Sequence, residues 1–104
     1  MIKRLFISQP MRGKSEEYIK HEREAMIAKA TEEAKKKYGE NTKVEIIDSY
    51  FENYDGNAVG FLSKSIGKLS EADLAAFAPD WGSARGCKIE HTICEEYEIE
   101  IILD

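Results

Sequence analysis

Glu90 stands where a helix would put an apolar residue. At about 100° per residue, Gly86, Ile89, Ile93 and Tyr97 fall on one arc, with Lys88, His91, Thr92 and Glu95 opposite, and Glu90 lies inside the apolar arc between Tyr97 and Cys94. A carboxylate so placed is partly desolvated, which raises its pKa and suits it to acid, base or nucleophile work; the alternative is a glutamate whose stem packs and whose head reaches water. Two loops carry the opposite charge. Arg12 and Gly13 in one, and Ser83, Arg85 and Gly86 in the other, each lead into a helix N-terminus, so guanidinium groups, hydroxyls and turn amides can converge on one anion. Taken singly, each arginine reads more readily as half of a surface ion pair; as a pair in facing loops, the anion site and the ion pairs stand level. Neither loop has the GxxxxGK[ST] or GxGxxG spacing of the specific phosphate and dinucleotide motifs.

Other side chains have weaker claims. Trp81, the one tryptophan, either stacks on a base or sugar at the mouth of a crevice or covers a sheet edge. Asp48 ends a strand within reach of a ligand hydroxyl. Asp80 either touches a ligand or shapes its loop, and Asp73 caps a turn. His21 and His91 fall on polar helix faces, away from acid–base or metal roles. No Cys/His/Asp cluster has zinc spacing, so no metal is expected.

The elements that must hold these residues are legible from periodicity. Residues 2–8 read as a buried strand through the block Leu5-Phe6-Ile7, and the loop Ser8-Gln9-Pro10-Met11-Arg12-Gly13-Lys14-Ser15 follows. Ser15 with Glu16 and Glu17 starts a helix that runs to about Lys37 and stops at Gly39; Ile19, Met26, Ile27, Ala30 and Ala34 form its stripe. A strand over 43–48 leads into an aromatic connection with Tyr50, Phe51 and Tyr54 and a turn at Asp55-Gly56-Asn57. A helix over 57–69 leaves Phe61 off its apolar side, as a subunit contact or a pocket wall. The short apolar run 74–78, closed by Pro79, reads as a strand. Ser83 caps a helix over 84–97, and 98–103 is a last strand. This β-α-β-α-β-α-β alternation predicts an α/β fold: one Rossmann-like, flavodoxin-like domain with a four-stranded parallel sheet flanked by three helices. Ligands in such sheets bind beyond the C-terminal strand ends at a switch point, here the loops after the first and third strands.

Length and composition agree. A chain of 104 residues, 42% hydrophobic with two prolines, suits one globular domain. A formal charge of −5 argues against a nucleic-acid partner. Cys87 and Cys94 sit roughly 10 Å apart along a helix, too far for a disulfide. No run reaches signal-peptide or membrane-span character, so a cytoplasmic protein without a membrane partner is expected.

Three blocks carry a resemblance over nearly the whole chain: Phe-Ile-Ser-Gln-Pro-Met-Arg-Gly (Phe6 to Gly13), Ser-Glu-Ala-Asp (Ser70 to Asp73) and Trp-Gly-Ser-Ala-Arg-Gly-Cys-Lys-Ile-Glu-His (Trp81 to His91). Together they resemble the nucleoside 2-deoxyribosyltransferase superfamily, most closely its small branch common in bacteria and phages. The resemblance implies a Rossmann-like fold, homo-oligomers in which a neighbour completes the site, and cleavage of an N-glycosidic bond without a cofactor. A glutamate matching Glu90 attacks the anomeric carbon in active relatives, and phosphate is held through positions matching Arg12, Gly13 and a serine near Ser83. The chain departs from the nucleotide hydrolases of the superfamily in three places. Phe6 replaces a tyrosine, Gln9 replaces a small loop residue, and Ser65 or Lys64 stands where they carry a further catalytic aspartate, which leaves no obvious group to protonate the departing base.

The expectation is therefore a glycosidase or deoxyribosyltransferase acting on a nucleoside or nucleoside 5′-monophosphate. Glu90 is its nucleophile, Arg12, Ser83 and Arg85 hold the anion, and Trp81 or Tyr50 stacks on the base. Ser8, Gln9, Pro10, Met11, Gly13, Asp48, Asp80 and Gly86 complete the expected binding set. The alternatives are a nucleotide-binding or sensing module with a degraded site, and an interaction protein whose crevice has no ligand.

Overall fold

Leu5, Phe6 and Ile7 can be apolar in succession because their strand is covered on both faces. In the computed structural model, which describes residues 1–49 and 56–104, β1 (Ile2–Ser8) sends Leu5 and Ile7 into one core with Met26, Ala30, Ala34, Leu74 and Ala76. Phe6 points the other way, into a second core with Ile47, Leu69, Ala75, Phe77 and Cys94. The first core is closed by α1 (Glu16–Tyr38), which buries Ile19, Met26, Ala30 and Ala34 as its period predicts. The Ser15 hydroxyl accepts from the Tyr18 N–H at 3.1 Å and starts this helix, and Gly39, at φ 109°, ends it.

The second core is closed by α2 (Ala58–Leu69) and α3 (Arg85–Glu96). Asn57 starts α2 by accepting from the Gly60 N–H at 2.7 Å. The remaining strands are β2 (Lys43–Ile46), β3 (Leu74–Phe77) and β4 (Glu100–Leu103). All pairings are parallel, in the order β2-β1-β3-β4. The fold is thus an α/β sandwich of the Rossmann, flavodoxin-like kind.

Because β1 lies between β2 and β3, the winding reverses there, and the loops after β1 and β3 border the crevice that the reversal opens. Two boundaries differ from the sequence reading by two residues. Strand pairing in β2 stops at Ile46, although the Ile47 N–H still reaches Leu5 O at 2.9 Å. β4 begins two residues later than expected because Glu98, at φ 57°, turns the chain out of α3. Tyr50, Phe51, Tyr54 and Asp55 lie outside the described residues. Cys87 and Cys94 are both free and buried. Among the described residues no helix is long and apolar enough to cross a membrane.

Candidate active site

Pleating decides what lies beneath the crevice. Phe6 and Ser8 share a face of β1, so the strand that buries Phe6 in the second core delivers the Ser8 hydroxyl, 2% exposed, under α3. There it donates to Glu90 Oε1 at 2.7 Å. Ser65, buried on α2, donates to the other oxygen, Glu90 Oε2. Glu90 itself is 5% exposed. Burial pushes its carboxyl above the ordinary glutamate range, and the two hydroxyls oppose that rise by favouring the ionised form. One turn earlier, burial pushes the Cys87 thiol up to about 11, with the Glu90 charge adding and the Ser8 hydroxyl opposing. Cys87 is therefore a packed thiol at neutral pH and no rival nucleophile.

Helix α3 is rolled by about a quarter turn from the orientation its apolar arc suggests, at 100° per residue. Its buried residues are Cys87, Glu90, His91 and Cys94, while Ile89 is 43% and Tyr97 77% exposed. The two cysteines act as the hydrophobes that meet the sheet, which places Glu90 on the shoulder facing the cleft and draws His91 inward. The expectation that His91 lies on a polar face is corrected accordingly.

The cleft above Glu90 has a volume of about 860 Å³. Ser8, Gln9, Pro10, Met11 and Arg12 border it from the first loop, and Ser83, Arg85 and Gly86 from the other side, so most of the expected binding set converges. Ser83 is not the cap of α3. It closes a 3-10 turn (Trp81–Ser83), its hydroxyl donating to Asp80 O at 2.8 Å. The N-cap of α3 is Ala84, which has no side chain able to accept, so the first-turn amides have no side-chain cap, and Ala84, Arg85, Gly86 and Cys87 line the cleft.

Four expected binding residues are placed otherwise, and a fifth lies outside the described residues. Gly13, at φ 80°, shapes the loop without lining the cleft. Asp80 is engaged by Lys14 Nζ at 2.7 Å, an ion pair that ties the first loop to the turn after β3. Asp48 is exposed beyond β2; burial lowers the pKa of the nearby Arg23 and the Asp48 charge opposes that fall. Trp81 covers the end of β3: it stacks on His91 with centroids 3.9 Å apart and meets Phe77 edge-on at 6.0 Å. Tyr50 lies outside the described residues. Gln9 borders the cleft, but its amide turns to α1, where Nε2 donates to Ile19 O at 3.2 Å and Glu22 Oε1 at 3.0 Å.

No family model, curated protein or solved structure matches this chain. The site therefore rests on its own geometry. Residues the sequence reading left out of the binding set are Ser65, Ser49, Asn57, Phe61 and Leu62, all on the cleft wall. The signal for Ser65 is its place at the edge of the α2 stripe formed by Ala58, Leu62, Ile66 and Leu69 at about 100° per residue, from which its hydroxyl meets Glu90. Phe61, off that stripe, is half-buried as a cleft wall. Among the described residues Glu90 is the one carboxylate that lines the cleft.

Proposed function

We propose that the cleft binds a nucleoside or nucleoside 5′-monophosphate and that Glu90 breaks its N-glycosidic bond. The observation that carries this reading is a buried carboxylate, both oxygens held by hydroxyl donors, beneath a cleft bordered by Arg12, Arg85 and the open N-terminus of α3. Glu90 attacks the anomeric carbon and forms a glycosyl ester while the C–N bond breaks and its electron pair leaves with the base. Water or a second base then attacks the same carbon, restores the carboxylate and gives the hydrolysed or transferred sugar. Arg12, Ser83, Arg85 and the α3 amides hold the 5′-phosphate or sugar hydroxyls. Phe61 and Leu62 give the base an apolar wall. In this reading the protein is cytoplasmic and a homo-oligomer; Val59, 75% exposed at the cleft rim, and the exposed Ile89 support a subunit contact there.

A second reading, a nucleotide sensor without turnover, is favoured by Ser65 standing where the resemblance puts an acid. Incubation with a panel of nucleosides, deoxynucleosides and their 5′-monophosphates, followed by chromatography for free base, separates the two. Base release that is lost in Glu90→Gln supports the enzyme. A melting-temperature rise with no release supports the sensor, and neither effect across the panel refutes both.

A further inference from the structure

His91 follows Glu90 on α3 and is only 8% exposed. Its ring lies parallel to the Trp81 indole, 3.9 Å between centroids and 4° between planes, and meets Phe77 edge-on at 4.8 Å. Nδ1 is 3.1 Å from Glu95 Oε1, and Nε2 is 3.1 Å from Asp104 Oδ2. A neutral imidazole carries one N–H, so one of these contacts then sets a lone pair against a carboxylate oxygen. The imidazolium donates from both nitrogens, and its charge also strengthens the stack on indole. Other charged groups nearby are Asp80, held by Lys14, and Glu22 and Lys29 of α1, which line a small cavity of about 250 Å³ together with Phe77 and Asp104.

We propose that His91 is a proton-operated clasp. When protonated it fastens α3 to the Trp81–Ser83 turn and to the end of β4. When neutral it releases one carboxylate and loosens the helix that carries Glu90 and the turn that carries Ser83. It does not border the cleft, so it is a positioning residue, and the clasp is independent of what the cleft binds.

Trp81, the only tryptophan, reports the stack directly, because a stacked imidazolium quenches indole emission. Titrated from about pH 8 to pH 5, the range in which histidines change charge, the wild-type protein should lose emission in one transition. His21→Gln, at an exposed position, should keep that transition, and His91→Gln should lack it. Over the same interval the α3 amides, corrected for intrinsic exchange, should gain about five-fold in protection, the size of one strengthened cation–π contact. Asp104→Asn, an exposed position that tests the clasp without disturbing the core, should reduce that gain. Flat emission in the wild type, a transition that survives in His91→Gln, or α3 protection that ignores pH or is unchanged by Asp104→Asn would overturn the proposal.

Discussion

Glu90 combines a cost to folding with the role proposed for it in chemistry. Because burial raises its pKa, the folded protein holds more protons than the unfolded chain between the ordinary glutamate value and the raised one. Stability therefore falls as pH climbs through that window and stays lowered above it. Glu90→Gln keeps an acceptor for one serine and removes the buried charge. It should raise stability at pH 7 by about 1 kcal/mol, with the gain shrinking towards pH 4 in thermal melts. The same substitution should lower base release by roughly three orders of magnitude or more. Wild-type kcat/KM should fall on the acid side at a pH above the usual glutamate range, and Ser65→Ala, by removing a donor to the carboxylate, should move that limb further up. With Glu90 the one carboxylate on the described cleft wall, a base that departs without needing a proton should leave fastest. Release of 7-methylguanine exceeding that of guanine by about ten-fold or more is the expected result, and equal rates would point to an acid supplied from elsewhere. Glu90 was legible because a charge inside an apolar arc is a contradiction the fold has to resolve. His91 was not, since its burial depends on Trp81 and Asp104, which periodicity along α3 cannot see.

The elements themselves were legible wherever local chemistry and hydrophobic period agreed. Ser15 and Gly39 bound α1, and Asn57 starts α2, through side-chain or backbone bonds that need no tertiary partner. The start of α3 was misread because Ser83 looks like a cap, yet its hydroxyl is spent on Asp80 O within the preceding turn. This difference is measurable. Ser15→Ala should cost about 1 kcal/mol in urea unfolding, whereas Ser83→Ala should cost less than about 0.5 kcal/mol and should act instead on nucleotide binding. The roll of α3 was hidden for a related reason: cysteine counts as a hydrophobe only once packed, and its two copies outweigh Ile89 and Tyr97 in choosing the buried face. Glu98 marks the other end of the same helix. Its left-handed backbone favours glycine, so Glu98→Gly should be neutral or stabilising, by up to about 1 kcal/mol in the same measurement.

At the scale of the molecule, the order β2-β1-β3-β4 brings residues 8, 65, 83 and 90 to one crevice, although they come from three separate stretches of chain. The alternation of strands and helices was enough to predict that crevice and the two loops that border it. It gave no hint of the Lys14–Asp80 ion pair that ties those loops together. Lys14→Met should change stability by less than about 1 kcal/mol, as partly exposed pairs do, while weakening nucleotide binding several-fold by freeing the Arg12 loop, a split that calorimetry and thermal melts can register. The central position of β1 has one further consequence. Ser8, which grips the Glu90 carboxylate, ends a strand paired on both sides, while Arg12 rides on an exposed loop. In native-state exchange, strands of this kind open only with global unfolding and such loops open early. Under mild denaturant, grip on an anionic ligand should fade while the acid and its serine tether remain as they are in the intact protein.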